Sequence, residues 1–401
     1  MSSSFLPLGS RDLLPTDLIK QEKLRHIVMD TFKSWGYQPV LPPTIENLDI
    51  LEKGRPQFVR ETFKVIDRDG QLLALRPDIT LPIARLAATR LSQVERPLRL
   101  CYTAKVFRQS PHLSDERREI YQAGIELIGC KSTDKVYSLG QINKANLECI
   151  SILLEVLEKA GLTDYKIVLS HIDLWKYAGE IFHRVEEFLE VDLEAELDAI
   201  LRKGDFIEYQ KAIAQAEERC QKSLKASKEP SELKACFESS LQDTPLNYLK
   251  KACFELTGEP IKILDYLDHD SVIYKELLAI VSLEEIFGKD KFIIDFTMRP
   301  DPNYYTGLYF EVVIPNTGKA IGKGGRYDNL MSSFGQSEPA IGFSLQVDSL
   351  LRYAKPDKYN ELVEDSKKMR IPTQDNNPEA LIHSIKQSMS LRTKNPIVII
   401  D

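Results

Sequence analysis

The sequence lacks several features that would assign the protein to a specific class at first sight. No two of its six cysteines form a Cys-x-x-Cys pair, and its six histidines are equally dispersed, so metal-ligand spacing is absent. Scattered cysteines of this kind are typical of reduced, mostly buried thiols. We therefore expect a cytoplasmic protein that holds no metal ion and requires no cofactor.

Long apolar runs are absent as well. No stretch approaches the roughly 18 apolar residues that a membrane helix needs. Residues 1–7 contain neither the basic region nor the apolar core of a secretory signal, so we expect no membrane association. The common catalytic signatures G-x-G-x-x-G on a strand, G-x-x-x-x-G-K-[ST], G-x-S-x-G and H-E-x-x-H are also missing.

The sequence has fewer basic than acidic residues. Lys and Arg number 53 against 60 Asp and Glu, which gives a net charge of -7. This balance argues against a protein whose main partner is a nucleic acid. A length of 401 residues with 43% apolar and 28% charged composition is instead typical of a globular protein of about two or three domains.

Short patterned segments predict a sheet of hairpins with helices between them. Asp17 is placed to cap the first helix, and Ser138 to Ala160 is an amphipathic helix. Glu61 to Ala74 is typical of a hairpin, because Asp69-Gly70 favours a tight turn between two apolar runs. Strands that come as hairpins favour a mixed, largely antiparallel sheet flanked by helices, which is an α+β class.

The sequence predicts a division of the chain into four parts. We expect one core built from residues 1–170 and 291–352, interrupted at 171–290 by a charge-laden helical insertion and connecting segment. Residues 353–401 form a short tail, in which 354–379 is loop-like and Ile397 to Ile400 resembles a strand.

One candidate site residue precedes a predicted helix. Asp78 lies between a predicted strand and a helix from about Leu81 to Thr89. Two roles remain open for its carboxylate. It caps the helix, or it points into a pocket and holds an ammonium group.

A second candidate lies on the predicted strand that ends near Gly129. Because successive side chains of a strand alternate between its faces, Gln122 and Glu126 share a face with Gly124 between them. The glycine leaves room above the strand. This pattern fits the floor of a small polar site, and it fits a solvated sheet face equally well.

Two phrases late in the chain are the third candidate. Asn303-Tyr304-Tyr305-Thr306-Gly307 leads into a strand-like run, and Gly322-Lys323-Gly324-Gly325 follows it. Adjacent tyrosines offer aromatic faces and hydroxyls, and glycines allow close backbone approach. The segment is either one wall of a pocket or a hairpin with half-buried tyrosines.

Six phrases in order along residues 8–350 carry a resemblance to a known family. They are Glu61-Thr62-Phe63 with Asp67-Arg68-Asp69-Gly70, Leu75-Arg76-Pro77-Asp78-Ile79-Thr80, Val106-Phe107-Arg108, Tyr121-Gln122-Ala123-Gly124-Ile125-Glu126, Tyr304-Tyr305-Thr306-Gly307 and Gly324-Gly325-Arg326-Tyr327-Asp328. Together they resemble the core of class II aminoacyl-tRNA synthetases, and specifically histidyl-tRNA synthetase. The resemblance implies a histidine-binding pocket, whose residues here are Asp78, Thr80, Arg108, Gln122, Glu126, Tyr304 and Tyr305.

The chain departs from the synthetase pattern where that family holds ATP. Ser349 stands where the family has an arginine against the phosphates, and Glu116 replaces a further arginine. Ser110 replaces a glutamate, and Pro300 stands where a third arginine assists activation. Phosphoryl chemistry depends on positioned positive charge, so we expect no adenylation. Only 51 residues follow Leu350, so we also expect no full anticodon-binding domain.

A synthetase core that keeps its histidine pocket and loses its ATP groups is similar to the ATP phosphoribosyltransferase regulatory subunit family. The resemblance implies a subunit without catalytic residues. It serves a short-form catalytic subunit in the first step of histidine biosynthesis, carries feedback inhibition by L-histidine, and forms a homodimer through its core. Two alternatives stay open: an active histidyl-tRNA synthetase, and a free-standing histidine-binding sensor.

Overall fold

The computed structural model describes the following residues: 5–54, 58–109, 117–130, 144–172, 215, 257–258, 264, 272–295, 298, 304–315, 317, 319–354, 369–371 and 398–400. Most of the predicted insertion at 171–290 and of the tail at 353–401 lies outside these residues. So do Ser110, Glu116 and Pro300, three of the positions at which the sequence departs from the synthetase pattern.

Fourteen strands occur in the described part of the chain. They are β1 (Gln38–Pro39), β2 (Ile45–Asn47), β3 (Lys64–Ile66), β4 (Leu72–Leu75), β5 (Leu98–Phe107), β6 (Glu119–Ile128), β7 (Lys166–His171), β8 (Thr257–Gly258), β9 (Phe292–Asp295), β10 (Leu308–Ile314), β11 (Lys319–Arg326), β12 (Ala340–Gln346), β13 (Met369–Ile371) and β14 (Val398–Ile400).

Eight α-helices accompany them within the same residues. They are α1 (Pro15–Ser34), α2 (Leu48–Gly54), α3 (Phe58–Glu61), α4 (Thr80–Thr89), α5 (Lys144–Lys159), α6 (Val272–Val281), α7 (Glu284–Phe287) and α8 (Val347–Tyr353), with a 3-10 turn at Leu330–Phe334. None of the helices described is both long enough and apolar enough to cross a bilayer.

A nine-stranded sheet is the centre of the molecule. Its strand order is β1-β5-β6-β12-β11-β10-β7-β9-β8. Only the β1–β5 and β7–β9 pairs are parallel, and the remaining neighbours are antiparallel. This arrangement, with helices packed on it, confirms the predicted α+β class and its mixed, largely antiparallel sheet.

The two faces of the sheet pack against separate apolar cores. Helices α1, α5 and α8 supply the first core together with inward residues such as Ile125 and Phe343. The second core joins α2 and α4 to the opposite face. On β6, Ala123 and Ile125 belong to the first core, whereas Gln122 and Glu126 lie on the other face. The prediction from alternation that Gln122 and Glu126 share one face of this strand is therefore confirmed.

The predicted hairpin near Gly70 is confirmed as part of a second sheet. Strands β3 and β4 pair across a turn in which Gly70 adopts a φ of 85°, a conformation that favours glycine. Strand β2 pairs with the other edge of β4. The buried guanidinium of Arg76 donates to the carbonyls of Pro42 and Lys105 at 2.6 and 2.9 Å, which fixes the small sheet against β5.

A single carboxylate connects three separate segments on the first-core face. Asp348, in the first turn of α8, accepts hydrogen bonds from Arg11 and Gln21 at 3.0 and 2.8 Å. Arg117, at the entry to β6, pairs with the same oxygen at 2.9 Å. The N-terminal segment, α1 and the start of β6 are thereby held at one point.

Two local predictions were wrong. Helix α1 begins at Pro15, two residues before the predicted cap at Asp17, because proline fits the first helical position, where an N–H has no partner. Residues 354–379 were expected to be loop-like, but Met369–Ile371 forms β13 and pairs in parallel with β14. A three-residue strand is too short to produce a recognisable pattern, and the strand with which it pairs is distant in the sequence.

Candidate functional site

All seven residues predicted to form a pocket line one cavity. It lies on the second-core side of the large sheet, above β6, β11 and β12. The lining residues are Asp78, Thr80, Arg108, Gln122, Glu126, Tyr304, Tyr305, Lys323, Gly324, Gly325, Tyr327, Gly342, Phe343 and Ser344. Four distant segments therefore meet at a single place, as the resemblance implied.

Strand pairing sets the floor of this cavity. In the register of β6 and β12, Gln122 lies opposite Gln346 and Glu126 lies opposite Gly342. A Cβ atom on Gly342 would come within 2.0 Å of Glu126 Oε2 and 2.3 Å of the Ile125 carbonyl oxygen. Only glycine at this position therefore leaves space for the Glu126 carboxyl.

Asp78 caps helix α4 and also lines the cavity. Its Oδ1 accepts a hydrogen bond at 3.1 Å from the backbone N–H of Leu81, in the first turn of α4. The same buried side chain lines the cavity. The carboxylate is thus held in place by the helix that it caps, and it presents negative charge to the cavity.

We expect the two roles of Asp78 to separate in a pair of variants. Asp78→Ala removes the cap and should lower the free energy of unfolding by about 1 kcal/mol, whereas Asp78→Asn keeps a capping oxygen and should cost less. Both remove the charge, so both should weaken binding of a cationic group. Urea unfolding and calorimetric titration measure the two effects. Equal stability of the two variants would contradict the capping role.

Glu126 is the most perturbed acid of the cavity. Burial raises the pKa of Glu126 to about 8, and the nearby Asp78 adds to the rise, while the hydroxyls of Tyr327 and Thr80 act in the opposite direction. Tyr327 donates its hydroxyl to Glu126 Oε2. The carboxyl is therefore largely protonated at neutral pH.

Three buried tyrosines, Tyr304, Tyr305 and Tyr327, line the cavity, and a fourth, Tyr309, packs against Tyr305. The ring of Tyr304 meets Tyr305 edge to face at 4.7 Å and stacks on Tyr327 at 5.6 Å. Tyr305 also meets Tyr309 edge to face, at 4.6 Å between ring centroids. Such pairs add to the stabilisation that burial provides. The segment is consequently a pocket wall, and its tyrosines are buried.

Arg108 supplies positive charge on the same side as Asp78. Its Nε donates to the carbonyl oxygen of Pro77 at 2.9 Å, which fixes the guanidinium beside the residue that precedes Asp78. Lys323 contributes a second cation to the lining. The cavity therefore carries two cations and two acids, one of which is held close to neutral.

Seven of the fourteen lining residues were not among the predicted pocket residues, and Tyr327 and Lys323 are two of them. Tyr327 belongs to a phrase quoted for the resemblance, but its contact with Glu126 depends on the pairing of distant strands. Lys323 lies opposite Glu311 and Ser344 in the sheet, a placement that follows from the register of β10, β11 and β12. Periodicity within one strand does not reveal either relation.

The arrangement is suited to binding a small zwitterion. Carboxylates can hold an ammonium group, a guanidinium can hold a carboxylate, and Gln122 offers both a donor and an acceptor. Ser349 donates its hydroxyl to Gln346 Oε1 at 3.1 Å, so a neutral pair occupies the position at which the resemblance to the synthetases would imply an arginine. No cluster of three or more metal-ligating side chains occurs in the part of the chain that the structure describes.

Several known proteins are similar to this chain over most of its length. The family model for histidyl-tRNA synthetase matches residues 9–350. An ATP phosphoribosyltransferase regulatory subunit from Moorella thermoacetica is 32% identical over 352 residues, covering 86% of this chain and 81% of that protein. One from Bacillus subtilis is 33% identical over 347 residues, with coverage of 86% and 80%.

Solved structures show the same fold. A regulatory subunit/histidyl-tRNA synthetase from Bacillus halodurans has a TM-score of 0.74 at 23% identity and covers 100% of this chain and 94% of its own. Histidyl-tRNA synthetase from Nostoc has a TM-score of 0.67 at 18% identity, with coverage of 100% and 86%. The chain belongs to the ATP phosphoribosyltransferase regulatory subunit family, which is built on the histidyl-tRNA synthetase fold.

Proposed function

We propose that this chain is the regulatory subunit of an ATP phosphoribosyltransferase and acts in the first step of histidine biosynthesis. Relatives that are more than 30% identical over most of its length carry that name. The chain has no catalytic activity of its own in this proposal. It works in the cytoplasm by binding a short-form catalytic subunit, without which it has no reaction to regulate.

We infer that the ligand of the cavity is L-histidine. The observation that carries this proposal is the meeting of Asp78, Arg108 and Glu126 in one buried lining. An α-ammonium group suits Asp78, and an α-carboxylate suits the guanidinium of Arg108. The imidazole carries an N–H that suits the carboxyl of Glu126. Thr80, Gln122 and the two tyrosines Tyr304 and Tyr305 complete the proposed binding set.

Regulation through this cavity requires two states of the complex. Histidine shifts the complex towards an inactive state only if it binds that state more tightly, with a coupling of roughly 1–3 kcal/mol.

The synthetase-like core, residues 1–170 and 291–352, is the proposed dimer-forming unit. Exposed apolar side chains of the small sheet, including Ile45 and Ile66 at 50% and 72% exposure, offer a surface for a second copy.

An activity assay tests the regulatory role. The catalytic subunit is assayed alone, with this chain, and with this chain plus L-histidine. We expect activity to depend on the added chain and to fall with histidine. Asp78→Asn should raise the histidine concentration needed for inhibition, because the ammonium group loses its counter-charge. An exposed control, Glu22→Gln, should leave inhibition unchanged. Equal activity with and without the chain would overturn the proposal.

The synthetase alternative has its own test. Histidine-dependent exchange of pyrophosphate into ATP should be undetectable, because a neutral Ser349–Gln346 pair replaces a phosphate-binding cation. Measurable exchange that is lost in the Asp78→Asn variant would establish the synthetase activity instead.

A further inference from the structure

A second cavity lies on the first-core face of the large sheet, away from the proposed histidine site. It is bounded by residues 9–13, α1, β5, the start of β6 and the first turn of α8, and we call it the N-terminal cavity. Its volume is about 200 Å³, which is enough for a small molecule rather than a single water. The two cavities have none of their described lining residues in common.

Two guanidiniums of the N-terminal cavity depend on one carboxylate. Arg11 and Arg117 both contact Oδ1 of Asp348, at 3.0 and 2.9 Å, and the Asp348 side chain is only 10% exposed. Lys105 forms the other ion pair of the lining, with Glu119. A guanidinium carries five N–H donors, so one carboxylate shared between two of them satisfies few of these donors. The junction is rich in donors and poor in acceptors.

A further cation lies at the edge of the same cavity. The guanidinium of Arg25 stacks over the ring of Tyr121, with its Cζ 4.4 Å from the ring centroid, and its Nε donates to the Thr103 hydroxyl at 3.2 Å. Lys105 lies over the same ring, which lines the cavity. The remaining acid of the lining, Asp12, is exposed and forms no ion pair within the described residues. Four cations are therefore grouped around two paired acids.

Gln21 on α1 places a buried acceptor beside these cations. It is 1% exposed and lines the N-terminal cavity. Its Nε2 donates to Asp348 Oδ1 at 2.8 Å, which fixes the orientation of the amide, because the opposite orientation would bring two oxygens together. Oε1 then has no hydrogen-bond partner in the described chain, although buried acceptors are nearly always paired. A hydroxyl group of a ligand would supply that partner.

We propose that the N-terminal cavity binds a small oxyanion that also carries a hydroxyl group. Phosphate monoesters and hydroxy acids share this chemistry. Arg11 and Arg117 hold the anion by charge-assisted hydrogen bonds, and the hydroxyl donates to Gln21. Asp348 keeps both guanidiniums in place in the empty protein and competes with the ligand for them. The site does not depend on the proposed histidine site, because the two cavities lie on opposite faces of the sheet.

Calorimetric titration of the full chain at pH 8 and constant ionic strength tests the ligand class. Glycerol 3-phosphate represents the phosphate monoesters and L-malate the hydroxy acids, and one of them should bind with a dissociation constant below about 1 mM. Propyl phosphate and succinate lack the hydroxyl, so each should bind about fivefold more weakly than its counterpart. Absence of saturable binding by both hydroxyl-bearing probes would overturn the proposal. Equal affinities with and without the hydroxyl would overturn the role of Gln21.

Two substitutions should change the affinity for the bound probe in opposite directions. Arg11→Gln removes one guanidinium, whose side chain is 43% exposed, and should weaken binding about tenfold. Asp348→Asn removes the competing charge and should strengthen binding about threefold. Arg90→Gln, at the exposed end of α4, is the control and should bind as the wild type does. A purely structural junction would lose affinity in both variants. Unchanged binding by Arg11→Gln, or weaker or unchanged binding by Asp348→Asn, would therefore overturn the proposal.

Discussion

Replacing Glu126 with glutamine is expected to stabilise the protein at pH 9 by about 5 kcal/mol, with little change at pH 5. The pKa of Glu126 is raised to about 8 in the folded protein, chiefly by burial, from an ordinary value of 4.5. Between these values the folded state keeps a proton that the unfolded state releases. The free energy of unfolding therefore falls as pH rises from 4.5 to 8, and it levels off above that range.

Glutamine removes this dependence, because it stays neutral and can still accept the Tyr327 hydroxyl at its amide oxygen. Urea unfolding at half-unit pH steps measures the difference between wild-type and variant. Glu22→Gln, on the exposed side of α1, is the control and should follow the wild-type curve. Parallel curves for wild-type and Glu126→Gln would mean that the pKa of Glu126 is the same in the folded and unfolded states, and would contradict the prediction.

Replacing Gly342 with alanine is expected to cost about 3 kcal/mol or more in the free energy of unfolding. The added Cβ would lie 2.3 Å from the Ile125 carbonyl oxygen and 2.0 Å from Glu126 Oε2. The carboxyl could turn aside, but the carbonyl belongs to the paired strand β6 and cannot move without breaking the ladder. Strand β12 therefore has to shift, which also deforms the cavity floor.

Gly307→Ala is the matched control for this substitution. A Cβ there would meet its nearest atom, Arg326 Cδ, at 3.2 Å, and that atom belongs to a long side chain. Its cost should be below about 1 kcal/mol, and the difference between the two glycines should appear in urea unfolding at constant pH. A similar cost for both would mean that loss of glycine flexibility, rather than strand contact, governs the result.

Much of the fold could be predicted, because its elements have strong local signals. Alternation on β6 placed Gln122 and Glu126 on one face, and Asp69-Gly70 marked the turn of the hairpin. The residue pattern left two roles open for Asp78, and its carboxylate both caps α4 and lines the cavity. That both hold together follows from the position of α4 beside the cavity, which the local sequence does not show.

The cavity itself could be predicted only through the resemblance. Its walls join Glu126 to Tyr327 and Asp78 to Tyr304, pairs far apart in sequence whose proximity depends on sheet register. No residue pattern within one segment reports such pairing. The same reason explains why Lys323 was not among the seven predicted residues, since its place in the lining depends on the strands beside it.

The position of β6 in the sheet has a consequence for synthesis of the chain. One edge of β6 pairs with β5, the strand immediately before it in the sequence. The other edge pairs with β12, which is synthesised about 200 residues later. Until then an apolar strand edge is open, and such edges invite pairing with other chains. Folding limited by so distant a contact is slow. A truncated chain that ends before β12 should therefore aggregate. For the same reason, we expect a chaperone to bind the nascent protein while this strand edge is unpaired.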